Sequence, residues 1–238
     1  MSEDTFLRCV SNVPNGFRFH FSGFSEPWLN PNATRFMKIL GSMGKEMHIY
    51  TTLIGTSTDD VREICNSTHI TKLCIHTPDT DGHMRANVDD HYLERLGYVL
   101  RNTDRRRVSL RVVCYGSTHP MVWKMCQDSG VYTKFRQFSP LNSRASNVEF
   151  EHVKKVDRKS GSLICRKNSD LKQNVLVPNG DLYLCCCDYG LKHRLGNLAR
   201  QSYQEIYSDG VVGMLNEMKK VDSAILCRTC ENSICIDK

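Results

Sequence analysis

Two hydrophobic patterns alternate along the first half of the chain. Phenylalanines at positions 17, 19 and 21 recur at every second residue, which is typical of a β-strand. Between Phe36 and Met43 the apolar residues recur instead at helical spacing, and Gly44 ends that pattern. The pairing repeats, so the predicted strands are Gly16–Ser22, Met47–Leu53, Lys72–His76, Val108–Cys114 and Val131–Phe138, with predicted helices after Asn30, Ser57, Asp89 and at Pro120.

This alternation predicts an α/β fold with a parallel sheet and right-handed crossovers. Periodicity alone leaves two arrangements open, a doubly wound sheet and a barrel. In both arrangements the functional site lies at the carboxyl ends of the strands. Small and polar residues collect at those ends here, namely at Ser22–Glu26, Thr51–Thr52, His76–Asp79 and Gly116–Ser117.

The distribution of cysteine divides the chain. Its 238 residues include twelve cysteines, and seven of these lie from position 165 onward. The composition changes near residue 150, after the polar segment Asn142–Asn147. We therefore expect a first domain at residues 1–150 and a second, cysteine-rich domain at residues 151–238.

Composition and charge argue against several classes of protein. The net charge is +6, but the basic residues are spread along the chain without an aromatic-plus-basic motif, so we expect no nucleic-acid partner. No apolar run reaches the length of about 18 residues that spans a bilayer, and the first residues lack the layout of a secretory signal. We therefore expect a cytoplasmic protein with no membrane partner, in which cysteines at CxxC spacing bind metal rather than form disulfides.

Four cysteines of the second domain stand in positions that suit one metal centre. Residues Asn174–Leu184 read as strand, tight turn, strand, and such a hairpin delivers Cys185 to a fixed point. Cys227 and Cys230 have the spacing of two ligands on one tight turn. Together with Cys165 they predict a closed site of four thiolates, which suits either an iron–sulfur cluster or tetrahedral zinc.

The remaining cysteines are expected to have other roles. Cys186 points away from the strand face of Cys185, whereas Cys187 shares that face. Cys235 could replace one of the four ligands. The scattered cysteines are expected to be ordinary buried thiols, which pack like small hydrophobic side chains; they are Cys9, Cys65, Cys74, Cys114 and Cys126.

The second half of the chain resembles a known family at several points. The spacing Cys-x14-Gly-x4-Cys from Cys165 to Cys185 and the CxxC of Cys227 and Cys230 look like the SPASM/twitch auxiliary-cluster domain. That domain follows the catalytic core in many radical S-adenosylmethionine (radical SAM) enzymes. The resemblance covers about residues 160–232 and implies one auxiliary 4Fe–4S cluster. The implied ligands are Cys165, Cys185, Cys227 and Cys230.

The first half is similar to the radical SAM barrel. Ser22–Pro27 looks like the Gly-Gly-Glu-Pro segment of that family, whose backbone groups bind the amino group of S-adenosylmethionine (AdoMet). Tyr50–Leu53 and Asn142–Asn147 resemble later segments of the same family. The resemblance implies a cofactor-binding set made of Ser22, Gly23, Phe24, Ser25, Glu26, Thr51 and Arg144.

One part of the family pattern has no counterpart in these residues. Radical SAM enzymes bind their catalytic cluster through Cys-x3-Cys-x2-Cys after the first strand, and the sequence contains no such motif. The helix predicted near residues 2–10 resembles the family's first helix, which follows that cluster loop. The implied fold is a partial (β/α) barrel of the radical SAM type that lacks its first strand, followed by a small cysteine-rich α+β auxiliary-cluster domain.

Two explanations of this pattern stay open. The chain is either a fragment, or misassigned start, of a longer enzyme, or a naturally shortened protein that has lost the reductive chemistry. In both cases we expect this chain not to cleave AdoMet. In complete form the protein would modify a peptide or protein substrate by radical chemistry, and a partner would cover the open barrel edge. The alternative is a non-enzymatic module that binds zinc or an iron–sulfur cluster through four cysteines and acts through a partner.

Overall fold

The chain forms two compact units. The structure is a computed structural model that describes residues 1–22, 24–82, 84, 86–131, 133–135, 143–148, 153 and 156–236. Residues 15–139 form one unit, called here the sheet unit. Residues 1–14, with helix α1 (Glu3–Ser11), group with residues 140–238 in the other, called here the cysteine unit. The grouping of residues 1–14 was not expected from the sequence, and the boundary near residue 150 stays a prediction.

A five-stranded parallel sheet is the basis of the sheet unit. The strands add in the order of the chain, so strands that follow each other in sequence are neighbours in the sheet. The predicted α/β fold with a parallel sheet is confirmed, although the first strand is shorter than predicted; residues 132 and 136–138 of the predicted last strand lie outside the described residues. The strands are β1 (Phe19–Phe21), β2 (Met47–Thr51), β3 (Ile70–His76), β4 (Ser109–Cys114) and β5 (Thr133–Phe135).

Four α-helices connect these strands, and their starts follow local chemistry. Ser57 and Asp60 form a reciprocal capping box at the start of one helix, the Asp89 side chain caps the next, and Pro120 begins the last. Consecutive helices contact each other, as expected when right-handed crossovers place them on one face of the sheet. The helices are α2 (Ala33–Ser42), α3 (Thr58–Asn66), α4 (Asp90–Asn102) and α5 (Pro120–Asp128).

The two faces of the sheet differ in chemistry. On one face Ile49, Ile75 and Val112 are completely buried, and burial of such side chains supplies roughly 1.5–3 kcal/mol each. The alternating positions of β2, which include His48 and Tyr50, are only half-buried. The core of the unit therefore lies on one side of the sheet, and the other side carries polar groups.

The cysteine unit consists of short elements joined by turns. Strands β6 (Leu163–Cys165) and β10 (Ser233–Cys235) pair antiparallel. A three-stranded antiparallel sheet contains β7 (Val175–Leu176), β8 (Asp181–Tyr183) and β9 (Arg194–Asn197). The helical elements are α6 (Tyr203–Ile206), a π-turn at Tyr207–Val211, α7 (Val212–Lys219) and a 3₁₀ turn at Leu226–Thr229.

Helix α1 is tied to this unit by hydrogen bonds at its end. The side chain of Asn12 donates to the carbonyl of Leu198 at 2.7 Å, and the carbonyl of Asn12 accepts from the backbone N–H of Tyr203 at 2.9 Å. One residue therefore joins the helix end to both the segment after β9 and the start of α6.

Within the part of the chain described, no helix is long and apolar enough to cross a membrane.

Replacement of Asn12 tests this connection. Asn12→Ala removes the donor to the Leu198 carbonyl, so we expect the free energy of unfolding in denaturant to fall by about 1 kcal/mol. Ser11→Ala, at the exposed neighbouring position, is the matched control and should change the free energy by no more than about 0.5 kcal/mol. Equal stability of the two variants would show that Asn12 does not anchor the helix.

Candidate metal centre

Three separate segments deliver the predicted ligands. Cys165 ends β6 and lies opposite Ser233 of β10. The predicted hairpin is confirmed, since β7 and β8 pair antiparallel and Cys185 follows two residues after β8. Cys227 lies within the 3₁₀ turn, and Cys230 ends it.

The hairpin turn needs a glycine at one position. The backbone N–H of Val177 donates to the carbonyl of Asp181, which closes the turn around Gly180. Gly180 has φ +88°, and a Cβ there would lie 3.0 Å from both Asn197 and Ala199. The local sequence therefore fixes the path by which the chain reaches Cys185.

The thiols of these segments lie in one neighbourhood. All twelve cysteines are free of disulfides. The thiols of Cys165, Cys185 and Cys230 are each close enough to Cys227 to act on its ionisation. Cys187 lies near them: its backbone N–H donates to Sγ of Cys185 at 3.4 Å, and the side-chain nitrogen of Asn232 lies 4.0 Å from Sγ of Cys187 and 3.9 Å from Sγ of Cys230. The binding of one metal centre by Cys165, Cys185, Cys227 and Cys230 stays a prediction.

Electrostatics in this group favour sharing of protons among the thiols. Hydrogen bonds with Cys185, Cys186 and Cys230 raise the pKa of the central Cys187 thiol. The same contact lowers the pKa of Cys230 to about 6, and burial followed by repulsion from the neighbouring thiolates raises the pKa of Cys227. A bound metal replaces such protons, since thiolates and not thiols are metal ligands.

The other two cysteines of this region are placed differently. Cys186 is exposed, and its carbonyl accepts a hydrogen bond from Arg144 at 3.3 Å. Cys235 is also exposed, and its thiol donates to the carbonyl of Ser160 at 3.0 Å. The sequence predicted that Cys186 and Cys187 point to opposite faces of a strand, but β8 ends at Tyr183 and both residues lie in a turn, closed by the hydrogen bond from the backbone N–H of Asp188 to the carbonyl of Cys185 at 3.0 Å.

The four predicted thiolate donors suit either an iron–sulfur cluster or tetrahedral zinc by their chemistry. Among the residues that the structure describes, no three side chains of His, Cys, Asp or Glu are arranged to hold a single metal ion. In a 4Fe–4S cluster each of four thiolates binds a different iron, so the sulfurs surround the cluster and do not converge on one atom. Four or five free thiols from separate segments fit that requirement chemically.

A hydrogen-bonded brace links the two ligand segments. Asp188, which directly follows the three consecutive cysteines and is 1% exposed, accepts from the backbone N–H of His193 at 2.8 Å and lies 3.4 Å from its Nδ1. The Nε2 of His193 accepts from the backbone N–H of Leu226 at 3.2 Å, which requires the proton on Nδ1. Burial raises the pKa of Asp188, but hydrogen bonds from His193 and Lys192 outweigh it and lower that pKa below its usual value. The brace fixes the start of the 3₁₀ turn relative to the Cys185 loop.

The CxxC turn is held from its other side by Lys159 and Ser233. The Ser233 hydroxyl lies within hydrogen-bonding distance of the carbonyls of Cys227 and Cys230. The ammonium of Lys159 donates to the carbonyl of Cys230 and, at 2.9 Å, to Ser233. Arg228, inside the motif, is completely buried and donates to the carbonyls of Lys159 and Gly161. Side chains of the turn's neighbours therefore hold its backbone.

The scattered cysteines are buried, as the sequence analysis expected. Cys9 and Cys114 are 0% exposed, and Cys65 lies 3.7 Å from the hydroxyl of Thr103. Burial raises the pKa of Cys126 to about 11. These thiols behave as small core side chains, and the same holds for the burial of Cys74.

Two of the predicted cofactor-binding residues of the sheet unit, Glu26 and Thr51, bond to each other. Glu26 accepts from the hydroxyl of Thr51 at 2.7 Å, and its other oxygen accepts from the backbone N–H and hydroxyl of Thr52 at 2.6 and 2.7 Å. It also caps the 3₁₀ turn at Pro27–Leu29. The carboxylate thus clamps the loop after β1 to the end of β2.

The remaining residues of that set fall at different places. Ser22 and Ser25 are exposed and Phe24 is half-buried, all in the loop after β1, while Gly23 lies outside the described residues. Arg144 lies in the cysteine unit, where its guanidinium stacks 5.3 Å from the ring of Tyr189. The AdoMet-binding role of these residues stays a prediction.

Comparison with known proteins identifies the cysteine-rich part. Residues 165–231 match the SPASM family, described as an iron–sulfur cluster-binding domain. No curated protein matches the chain. Two crystal structures of BtrN share its fold: an open conformation (TM-score 0.55, 15% identity, 98% of this chain and 80% of that one) and a complex with AdoMet and 2-DOIA (TM-score 0.59, 13% identity, 99% and 81%).

The brace between the ligand segments generates a prediction. His193→Phe keeps a planar ring but leaves the Leu226 N–H without its acceptor, so we expect a loss of about 1–3 kcal/mol in the free energy of unfolding. We also expect faster loss of bound iron to a chelator, because the turn that carries Cys227 is released. His91→Phe, at an exposed position of α4, is the control. Unchanged iron retention in His193→Phe would show that the brace does not support the ligands.

The matched residues and the site geometry describe the same segment. The SPASM match begins at Cys165 and includes Cys185, Cys227 and Cys230. It confirms the resemblance of this segment to the SPASM domain that the sequence analysis stated. Residues 165–231 therefore match the SPASM family, an iron–sulfur cluster-binding domain, within a chain that shares the fold of the BtrN structures.

Proposed function

We propose that this domain holds one 4Fe–4S cluster through Cys165, Cys185, Cys227 and Cys230. The observation that carries the proposal is that these four cysteines are free thiols and all lie within the residues that match the SPASM family. Both thiols of the CxxC turn are buried, and the turn is braced on two sides. Cys187 would then stand beside the bound thiolates as a hydrogen-bond donor, a contact that raises the reduction potential of such clusters.

We further propose that the sheet unit is a partial barrel of the radical SAM type. Sequential addition of five parallel strands, without a reversal of direction, is the arrangement from which a barrel closes. Strand β1 lies at an edge of the described sheet, where its outer hydrogen-bonding groups would be covered by a further strand or by a partner. On this proposal the Glu26 clamp shapes the loop at the carboxyl end of β1.

The clamp supports a role of that loop in binding AdoMet. Because the carboxylate of Glu26 is occupied by Thr51 and Thr52, the exposed hydroxyl groups of Ser22 and Ser25 are the candidate groups for a ligand. Such groups suit the amino and carboxylate groups of AdoMet, the molecule bound in one BtrN structure. When bound to a reduced cluster, AdoMet supplies a carbon-centred radical for hydrogen abstraction. The chain's own contribution would be to orient AdoMet at the strand ends.

We propose that these 238 residues alone do not cleave AdoMet, since they contain no Cys-x3-Cys-x2-Cys motif. With a catalytic cluster supplied, the protein would modify a peptide or protein by radical chemistry. The SPASM domain would then anchor or oxidise the reacting molecule. The substrate class rests on analogy with other SPASM enzymes.

A cysteine series tests the cluster. After anaerobic reconstitution with iron and sulfide, replacement of Cys165, Cys185, Cys227 or Cys230 by Ser should each remove most of the bound iron and acid-labile sulfide. Cys235→Ser and Cys186→Ser, at exposed positions, are the controls and should retain the cluster. Cys187→Ser should retain it with a shifted potential. A colourless protein with stoichiometric zinc, or full iron binding in all four variants, would refute the proposal.

The catalytic part of the proposal has a separate test. The reconstituted chain is mixed with dithionite and AdoMet, and 5′-deoxyadenosine is measured by liquid chromatography. We expect AdoMet to bind without turnover, and Ser25→Tyr, which adds bulk to the loop after β1, to weaken that binding. Substantial formation of 5′-deoxyadenosine by the wild-type chain would contradict the proposed inability to cleave AdoMet.

A further inference from the structure

The polar face of the parallel sheet carries a cluster of cationic and aromatic side chains. In the strand register His20 lies beside His48, and His48 lies beside Lys72. Two residues further along the strands, Tyr50 lies beside Cys74, which lies beside Arg111 of β4. Neighbours in register share a face of a sheet. The open face, as it is called here, is defined by His20, His48, Tyr50, Lys72 and Arg111.

Rings line the part of the open face formed by β1 and β2. The ring centroids of His20 and His48 are 4.8 Å apart, and those of His20 and Tyr50 are 6.0 Å apart in a stacked arrangement. The ammonium of Lys72 lies 5.0 Å from the Tyr50 ring and donates to its hydroxyl at 2.9 Å. These contacts hold Lys72 in a defined position without a carboxylate.

One acid lies at the edge of the open face, since the carboxylate of Glu46 is 3.7 Å from Nε2 of His48. Glu46, next to this face, is already paired with Arg18 at 2.8 Å and accepts from Thr71 at 2.5 Å. Among the described residues, no carboxylate pairs with Lys72 or Arg111. Arg111 is exposed. Two positive charges thus remain on a surface that is otherwise built of rings.

The histidines add hydrogen-bonding groups rather than charge. Burial, with repulsion from His20, Arg18 and Lys72, lowers the pKa of His48 to about 4, and burial together with Arg18 and Lys72 also lowers the pKa of His20. Both rings are neutral at pH 7. Nδ1 of His48 is buried and has no hydrogen-bond partner in the described structure. A ligand on the open face would find neutral donors beside two cations.

We propose that the open face binds an acidic peptide segment. This inference rests on the proposed function and deepens it, because it names the charge of the peptide substrate. Lys72 and Arg111 lie on neighbouring strands and are offset by two residues along the strand direction, so their backbones lie roughly 8 Å apart. That separation is close to the roughly 7 Å between alternate residues of an extended peptide, so it suits two acidic side chains of one peptide. The rings across β1 and β2 extend the face to about 14 Å, the width of three strand spacings, which suits a peptide rather than one small anion.

A binding experiment tests this inference on the full 238-residue chain with its cluster reconstituted. The probe is a short fluorescein-labelled peptide in which Glu alternates with Ser, followed by fluorescence anisotropy. We expect measurable binding that weakens with added salt. In Lys72→Gln/Arg111→Gln we expect affinity to fall roughly tenfold, because two exposed charge pairs of about 0.7 kcal/mol each are lost.

Matched variants and competitors decide between outcomes. Lys124→Gln/Arg106→Gln removes the same two charges from exposed positions outside the open face and should leave the affinity unchanged. A peptide with Gln in place of Glu should bind much more weakly. The inference is overturned if the wild-type chain does not bind the acidic peptide, or if both double variants bind it equally. It is also overturned if free glutamate or inorganic phosphate competes at the concentration of the peptide, since that outcome assigns the face to a small anion.

Failure of this inference and failure of the proposed function are distinguishable. The iron and sulfide content of the same samples reports on the cluster, whereas anisotropy reports on the open face in the other unit. Loss of peptide binding with an intact cluster counts against the acidic substrate alone. Absence of a cluster with selective peptide binding counts against the proposed function alone.

Discussion

Several cysteine sulfurs lie together in a part of the chain that has little regular structure. The strands of the cysteine unit contain two to four residues each, and its longest helix after α1 has eight. Thiols brought together in this way gain little from each other, because an S–H group is a weak donor and its thiolates repel. A metal cluster that binds them converts this arrangement into a source of folding free energy. The placement of β6, the hairpin and the CxxC turn is understandable as a consequence of that one requirement.

Local chemistry accounts for the features that were predictable from the sequence. The hairpin before Cys185 is encoded by Gly180 and its neighbours, and the start of α3 by the Ser57–Asp60 capping box. The parallel sheet follows from the alternation of apolar patterns. Contacts between distant residues were not predictable in this way: Asn12 bonds to a carbonyl 186 positions later, and nothing near it in the sequence indicates that α1 belongs to the cysteine unit.

Residue roles were harder to predict than residue positions. Glu26 stands out in the sequence because it resembles part of a cofactor-binding segment, and the structure shows its carboxylate fully engaged in holding the loop to β2. The two roles are compatible, since a loop that binds a ligand through its backbone needs a side chain to fix its shape. Cys187 illustrates the opposite case. The sequence predicted that it shares a strand face with Cys185, but β8 ends at Tyr183 and Cys187 lies in a turn, where Asn232 from a distant segment of the chain approaches its sulfur to 4.0 Å.

The parallel sheet divides stability and recognition between its faces. Ile49, Ile75 and Val112 on the buried face contribute the hydrophobic free energy that holds the unit together. The open face carries an unfavourable interaction instead. Burial, together with Lys72 and Arg18, disfavours protonation of His48 and holds its pKa at about 4. The stability that depends on neutral His48 is present above its unfolded pKa of about 6.5 and is lost as the pH falls towards 4. A negatively charged ligand would relieve the same repulsion, and by linkage it would raise the pKa of His48 when it binds. The free energy gained from burial on one face thus offsets the charge repulsion on the other. Such a division is expected where ligand binding, rather than folding, determines which residues form a surface.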